Sequence, residues 1–145
     1  MGKKWNAVLF SLYCGLMLWL MLDRSGAAEG VPYWEQVRDS LNLVPFRTIL
    51  KFVPLLTFSR ASLVRLAVVN LFGNIVMFIP LGFFLPRVFP KLRRIWKTLL
   101  VTLLSISVIE LVQLFSLVGS CDIDDLILNL TGAVIGYGIF KLTHK

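Results

Sequence analysis

The sequence predicts an all-α membrane protein, a bundle of four transmembrane helices with an interfacial segment between the first and the second. Three observations predict it. Of the 145 residues 57% are hydrophobic, and the mean hydropathy is +0.81, more apolar surface than a water-soluble core of this size absorbs. The excess is gathered into blocks approaching the roughly 20 residues that cross a bilayer. All charges but Glu110 lie outside the blocks, and the acids among them are confined to alternate connections, as when connections alternate across a membrane.

The predicted spans are 5–22, 66–85, 98–118 and 124–140, within a single domain covering 1–145. Trp5–Leu22 and Leu66–Leu85 contain no charge, and Thr98–Val118 contains only Glu110. The apolar part of the fourth, Leu126–Phe140, is 15 residues long, short for a crossing without help from Ile123 or local bilayer thinning. At the N-terminus, Lys3-Lys4 before an apolar run resembles a signal peptide, with Gly26-Ala27-Ala28 as small residues for cleavage. The uncharged run of 18 residues exceeds the 7–15 of a cleaved signal, so an uncleaved helix is expected. Cys14 follows bulky Tyr13 and has no lipoprotein context. It is expected mid-membrane and Cys121 at the surface, so neither a disulfide nor a metal site is predicted from them.

The outer loop, 23–65, has its own pattern. Tyr33, Trp34, Val37 and Leu41 recur at roughly helical spacing among charged residues, as in a short amphipathic helix at headgroup depth. Pro45 interrupts helix after it, and Ile49–Phe58, with Lys51 and Pro54, is too short to cross and is expected to be re-entrant or surface-lying.

Nine of the fifteen basic residues (Lys3, Lys4, Arg87, Lys91, Arg93, Arg94, Lys97, Lys141 and Lys145) lie in segments without an acid. Lys and Arg bias their loops to the cytoplasm. Both termini and the 86–97 loop are therefore expected inside, with 23–65 and 119–125 outside. The net charge of +7 is then a matter of topology and of anionic membrane lipids. A nucleic-acid partner would want a basic face on a soluble fold, and none is visible.

Polar side chains inside the spans single out one level. A charge at the bilayer centre costs about 2.5–3.5 kcal/mol on insertion scales, so Glu110 calls for a partner or a function. Glu110 and Gln113 lie roughly 12 and 8 Å from the outer end of the third span, on one face. Asn70 and Asn74 share a face in the outer half of the second. Asp122, Asp124 and Asp125 open the fourth, with Asn129 one turn further in. Each has a bland reading: the amides as interhelical glue, one of the aspartates as a helix N-cap, and Arg60 or Arg65 as a partner for Glu110. Gly132-x-x-x-Gly136 reads as a close-packing face, within the chain or between copies, and Gly73 as another. Pro80 is expected to kink the second span and Pro86 to lead it out. Gly119 suits the tight turn after the third. His144 is expected to be solvated, and no hydrolase triad is supported.

Together, Asn70-x-x-Gly73-Asn74-x-x-x-Phe78-x-Pro80-x-Gly82-x-x-x-Pro86, Glu110-x-x-Gln113 and Asp122-Ile-Asp124-Asp125-x-x-x-Asn129-x-x-Gly132-x-x-x-Gly136, with the upstream Asn42-Leu-Val-Pro45-Phe46-Arg47-Thr48-Ile49, resemble the VanZ-like family over residues 41–140. That resemblance implies a multi-pass cell-membrane protein, chiefly of Gram-positive bacteria, and an association with resistance to the lipid-anchored glycopeptide teicoplanin. An Arg usual in the family near Ser120 or Cys121 is absent, so the part the resemblance implies for it in balancing the carboxylates is either unfilled here or falls to Arg47, Arg60 or Arg65.

The expected function is therefore a non-enzymatic envelope factor. Its outward polar pocket, formed by Asn70, Asn74, Glu110, Gln113, Asp122, Asp124, Asp125, Asn129 and Arg47, would bind a lipid-linked cell-wall precursor or a lipoglycopeptide. No resident cofactor is expected, although oxygen-rich ligation at the aspartates suits Ca²⁺ or Mg²⁺. Two alternatives stand beside it. One is an intramembrane enzyme with Glu110 as general base and Mg²⁺ on the aspartates. The other is a proton or ion pathway through Glu110, against which the inner halves of the spans offer no polar stepping stones.

Overall fold

The computed structural model describes residues 3–22, 27–58 and 60–143; Gly26 of the cleavage triplet, His144 and Lys145 lie outside them. Four long helices, α1 (Lys3–Leu22), α5 (Ala61–Val88), α6 (Ile95–Ser116) and α7 (Ile123–Thr143), are each long and apolar enough to cross a membrane. Their outward residues match that solvent. Leu12, Val69, Val76, Leu104 and Val108 are between 57% and 66% exposed, a surface suited to acyl chains, in which no backbone group is left unpaired because helices bond internally.

The helices extend beyond the apolar blocks. α7 is 21 residues long because its first turn takes in Asp124 and Asp125 and its last reaches Thr143, so the fourth crossing is not short. α5 runs 28 residues through both Pro80 and Pro86, roughly 42 Å at 1.5 Å per residue. Pro86 therefore does not end it; the helix stops two residues later and a 3-10 turn, Pro90–Leu92, leads into α6.

α5 is the central element, touching α1, α6, α7 and two of the short helices of the loop. It runs in the same direction as α7, and glycines set their separation. A Cβ on Gly132 would lie 2.0 Å from the Ile75 carbonyl oxygen, one on Gly136 1.9 Å from that of Ile79, and one on Gly82 2.0 Å from that of Ala133. The Gly132/Gly136 face is thus consumed within the chain, backbone against backbone. Gly73, by contrast, has nothing within 4 Å of its would-be Cβ among the described residues and takes no part. α1 packs through Met17 and Met21 into a cluster with Phe78, Leu81, Leu85, Ile106 and Ile109, and the Tyr13 hydroxyl donates to the Met77 carbonyl at 2.7 Å.

The long connection is built rather than loose. It contains α2 (Tyr33–Asp39), β1 (Leu41–Asn42), α3 (Arg47–Phe52) and α4 (Leu55–Phe58). Val37 is the buried side of α2 while Trp34 is 68% exposed, and the Tyr33 hydroxyl donates to the Phe115 carbonyl at 2.8 Å. β1 pairs in parallel with β2 (Cys121–Asp122), Leu41 opposite Cys121 and Asn42 opposite Asp122. No periodicity in the sequence marks this two-residue pairing.

Candidate functional site: a buried carboxylate assembly

Where α6 gives way to α7 the chain must turn and cap two helix ends at once. α6 closes through Leu117 in the left-handed region (φ 56°), with Val118 N–H returning to the Gln113 carbonyl at 3.1 Å. The positive φ falls on Leu117 and not on Gly119. Gly119 instead provides room, since a Cβ there would meet Gln113 Cβ at 3.3 Å. Cys121 N–H then donates to the Ser40 carbonyl at 2.9 Å, which docks the turn on β1.

The aspartates divide the capping between them. Asp122 precedes α7, and its Oδ1 accepts Asp124 N–H at 2.9 Å, the N-cap of its own helix. Its other oxygen, Oδ2, accepts the Thr48 hydroxyl and the Asn42 amide, the latter at 3.0 Å. Asp124, fully buried, turns away from α7 and caps α3. It accepts N–H groups from Phe46, from Thr48 at 2.7 Å and from Ile49 at 3.0 Å. α3 has no side-chain cap of its own, because its N-cap position is Phe46, held at φ 65°. A carboxylate on these amides is favoured by the positive end of the helix dipole, and it offsets the strain of a bulky residue at positive φ.

Around this pair stand the other predicted residues. Glu110, 4% exposed, accepts Asp122 N–H on Oε2 at 3.2 Å. Asn74 donates its amide to Asp125 Oδ1, joining α5 to α7. Gln113 donates to the Met21 carbonyl at 2.6 Å, fastening the end of α1. Asn129 is fully buried, and neither its Oδ1 nor its Nδ2 has a hydrogen-bond partner among the described residues. Two residues stand apart. Asn70 donates to the carbonyl of Leu66 in its own helix at 2.9 Å, and Arg47 opens α3 with an exposed side chain. The structure thus gathers Glu110, Asp122 and Asp124 into one hydrogen-bonded unit, with the Asn74–Asp125 and Gln113–Met21 links tying α5 and α1 to the same two helices.

Asn42 and Thr48 belong to this unit and were not singled out from sequence as side chains. Their signal was the Asn42–Ile49 segment, which marks a break in helix without showing what its polar groups meet. Thr98 and Thr102, both fully buried on α6, were also missed. They place polar groups in the half of the span that looked purely apolar; the Thr98 hydroxyl donates to the Leu92 carbonyl at 2.7 Å.

A pocket of about 250 Å³ opens beside the assembly, with Glu110, Cys121 and Asp122 in its wall and Leu43, Leu111 and Leu126 around them. Burial pushes the Cys121 thiol pKa up, and the Glu110 and Asp122 carboxylates push it further in the same direction. Among the described residues no three His, Cys, Asp or Glu side chains are grouped to hold a metal ion. The oxygens of Asp122 and Asp124 meet N–H and O–H donors, as capping carboxylates do.

The family model described as VanZ/LLP1 matches residues 10–144, reaching back into α1. The chain is also 27% identical over 145 residues to Protein VanZ of Enterococcus faecium, across 100% of this chain and 79% of that protein. No solved structure matches the chain.

Proposed function

Because the chain belongs to the VanZ/LLP1 family, we propose that it is a multi-pass envelope protein whose carboxylate end faces the cell exterior. There it would bind a lipid-linked or lipid-anchored component and lower susceptibility to glycopeptides of the teicoplanin class. The observation that carries the reading is the pocket wall formed by Glu110 and Asp122. Glu110 is only 4% exposed yet lies in that wall, where a carboxylate within a membrane bundle can meet a polar group of a ligand. The topology has separate support. Arg87, Lys91, Arg93, Arg94, Lys97 and Lys141, in segments without an acid, collect at the opposite end of the spans, the end that the positive-inside rule assigns to the cytoplasm.

A binding role suits the chemistry better than bond cleavage. Cys121 is the thiol in the pocket wall, and burial and the neighbouring carboxylates hold it protonated, the reverse of what a nucleophile needs. An amide, hydroxyl or ammonium group on a ligand would find acceptors in the wall, and its lipid part would lie along Leu43, Leu111 and Leu126.

The test is teicoplanin susceptibility of a sensitive Gram-positive host expressing the chain, Glu110→Gln or Asp125→Asn at equal membrane abundance. The parent chain should raise the inhibitory concentration, and Glu110→Gln should abolish the rise. An unchanged inhibitory concentration with the parent chain, or full activity in both variants, defeats the proposal.

A further inference from the structure

The opposite end of the bundle carries Arg87, Lys91, Arg93, Arg94, Lys97 and Lys141, and residues 86–97 and 141–143 contain no acid. Like charges concentrated there repel one another unless a counter-charge is supplied from outside. The fold holds them together rather than letting them spread. Arg87 lies over the Phe83 ring, 4.3 Å from its centroid, and donates from Nη2 to Thr143 Oγ1 at 3.3 Å, so it bridges α5 to α7. Its Nε is buried without a hydrogen-bond partner among the described residues. The Tyr137 hydroxyl donates to the Arg93 carbonyl at 2.7 Å, and Thr98 bonds the Leu92 carbonyl. The connection between α5 and α6 is thus tied down by α7 on one side and α6 on the other.

Within this fixed turn Lys91 lines a surface cleft of about 440 Å³ whose other walls are Phe89, Pro90 and Leu92. Phe89 and Trp96 are 47% and 55% exposed. Apolar walls with an ammonium at their edge, at the ends of membrane-spanning helices, repeat the division of a phospholipid into acyl chain and phosphate. α6 begins here with Arg94 at its N-cap, no acid in its first turn and no side-chain cap, so its dipole adds to the pull on an anion.

We propose that this end is a docking surface for an anionic phospholipid. Its phosphate sits at Lys91 in the field of Arg93, Arg94 and Lys97, and its glycerol and upper acyl carbons lie against Phe89 and Leu92. Trp96 marks the headgroup level. The surface is remote from the carboxylate assembly, and its occupancy does not depend on what that assembly binds.

The test is native mass spectrometry of the full chain in detergent, titrated with dioleoylphosphatidylglycerol or dioleoylphosphatidylcholine, with inorganic phosphate as competitor. The anionic lipid should be retained with roughly tenfold preference, and inorganic phosphate should not displace it, because the apolar contacts are part of the site. Lys91→Gln and Arg94→Gln, both at exposed positions, should each cut that preference about fivefold, the effect of one cation near an anionic surface. Arg47→Gln, on an exposed side chain at the other end of the bundle, should leave it unchanged. Equal retention of the two lipids, displacement by inorganic phosphate, or equal losses from Arg47→Gln and Lys91→Gln would overturn the proposal.

Discussion

Replacing Asp124 by Ala should release the loop from the bundle, and the structure sets the size of the effect. The carboxylate is fully buried and accepts the N–H groups of Phe46, Thr48 and Ile49. A hydrogen bond to a charged group contributes about 1.5–3 kcal/mol, and a donor left buried without a partner costs about 1–3 kcal/mol. The three do not add in full, because opening α3 lets the freed amides reach water. A local loss of about 3 kcal/mol is the reasonable figure, since it includes a helix cap typically worth about 1 kcal/mol. At 1.4 kcal/mol per tenfold, hydrogen exchange of amides 46–49 should accelerate roughly 100-fold. The assay is exchange of the chain in detergent micelles, followed by mass spectrometry of the peptide covering 44–52. Asp124→Asn keeps one carbonyl oxygen for Thr48 and Ile49 but turns an NH₂ toward the remaining donor, so it should fall between, near tenfold. Asp39→Ala, at the exposed end of α2, serves as the control. Exchange within twofold of the parent for Asp124→Ala would refute the assignment of this carboxylate as the cap of α3.

Two further outcomes follow from the packing and from the pocket. Gly132→Ala sets a methyl group 2.0 Å from the Ile75 carbonyl oxygen, a backbone atom that cannot swing aside. It should lower the unfolding midpoint in detergent by the equivalent of about 2 kcal/mol or more, despite the ~1 kcal/mol gained in helix propensity. Gly73→Ala meets open space and should be neutral or stabilising; equal stability of the two variants would count against the close approach of α5 and α7. In a Cys14→Ser background, alkylation of Cys121 should rise with pH at a midpoint above that of an ordinary thiol, because burial and two carboxylates disfavour the thiolate. Glu110→Gln removes one of those negative charges, so the midpoint should fall and alkylation at mildly alkaline pH should quicken. A midpoint unmoved by that change would mean that Glu110 carries no charge near the thiol.

Much of this protein is set by properties that act along the chain. Four apolar runs dictate four helices because unpaired backbone cannot stand in lipid, and the sorting of Lys and Arg follows from the same alternation of connections. The common level of Asn74, Glu110, Gln113 and the aspartates follows from helical rise alone. Membership of the VanZ/LLP1 family was legible in the spacing of those same residues. One of three aspartates was recognisable as an N-cap, since capping is a local rule, and Asp122 takes that role for α7.

The partners of those groups were decided only by tertiary closure. Asp124 meets amides 75 to 78 positions away in sequence, and Asn42 and Thr48 acquire meaning only when β1 lies beside β2. Likewise, nothing in Gly132-x-x-x-Gly136 says whether it faces another copy or α5; the carbonyls of Ile75 and Ile79 answer that. Hydropathy, charge and helix propensity are sums over neighbours in the chain and can be evaluated from it. A hydrogen bond between distant residues depends on where the whole chain brings two particular atoms, and that becomes definite only when the bundle has closed.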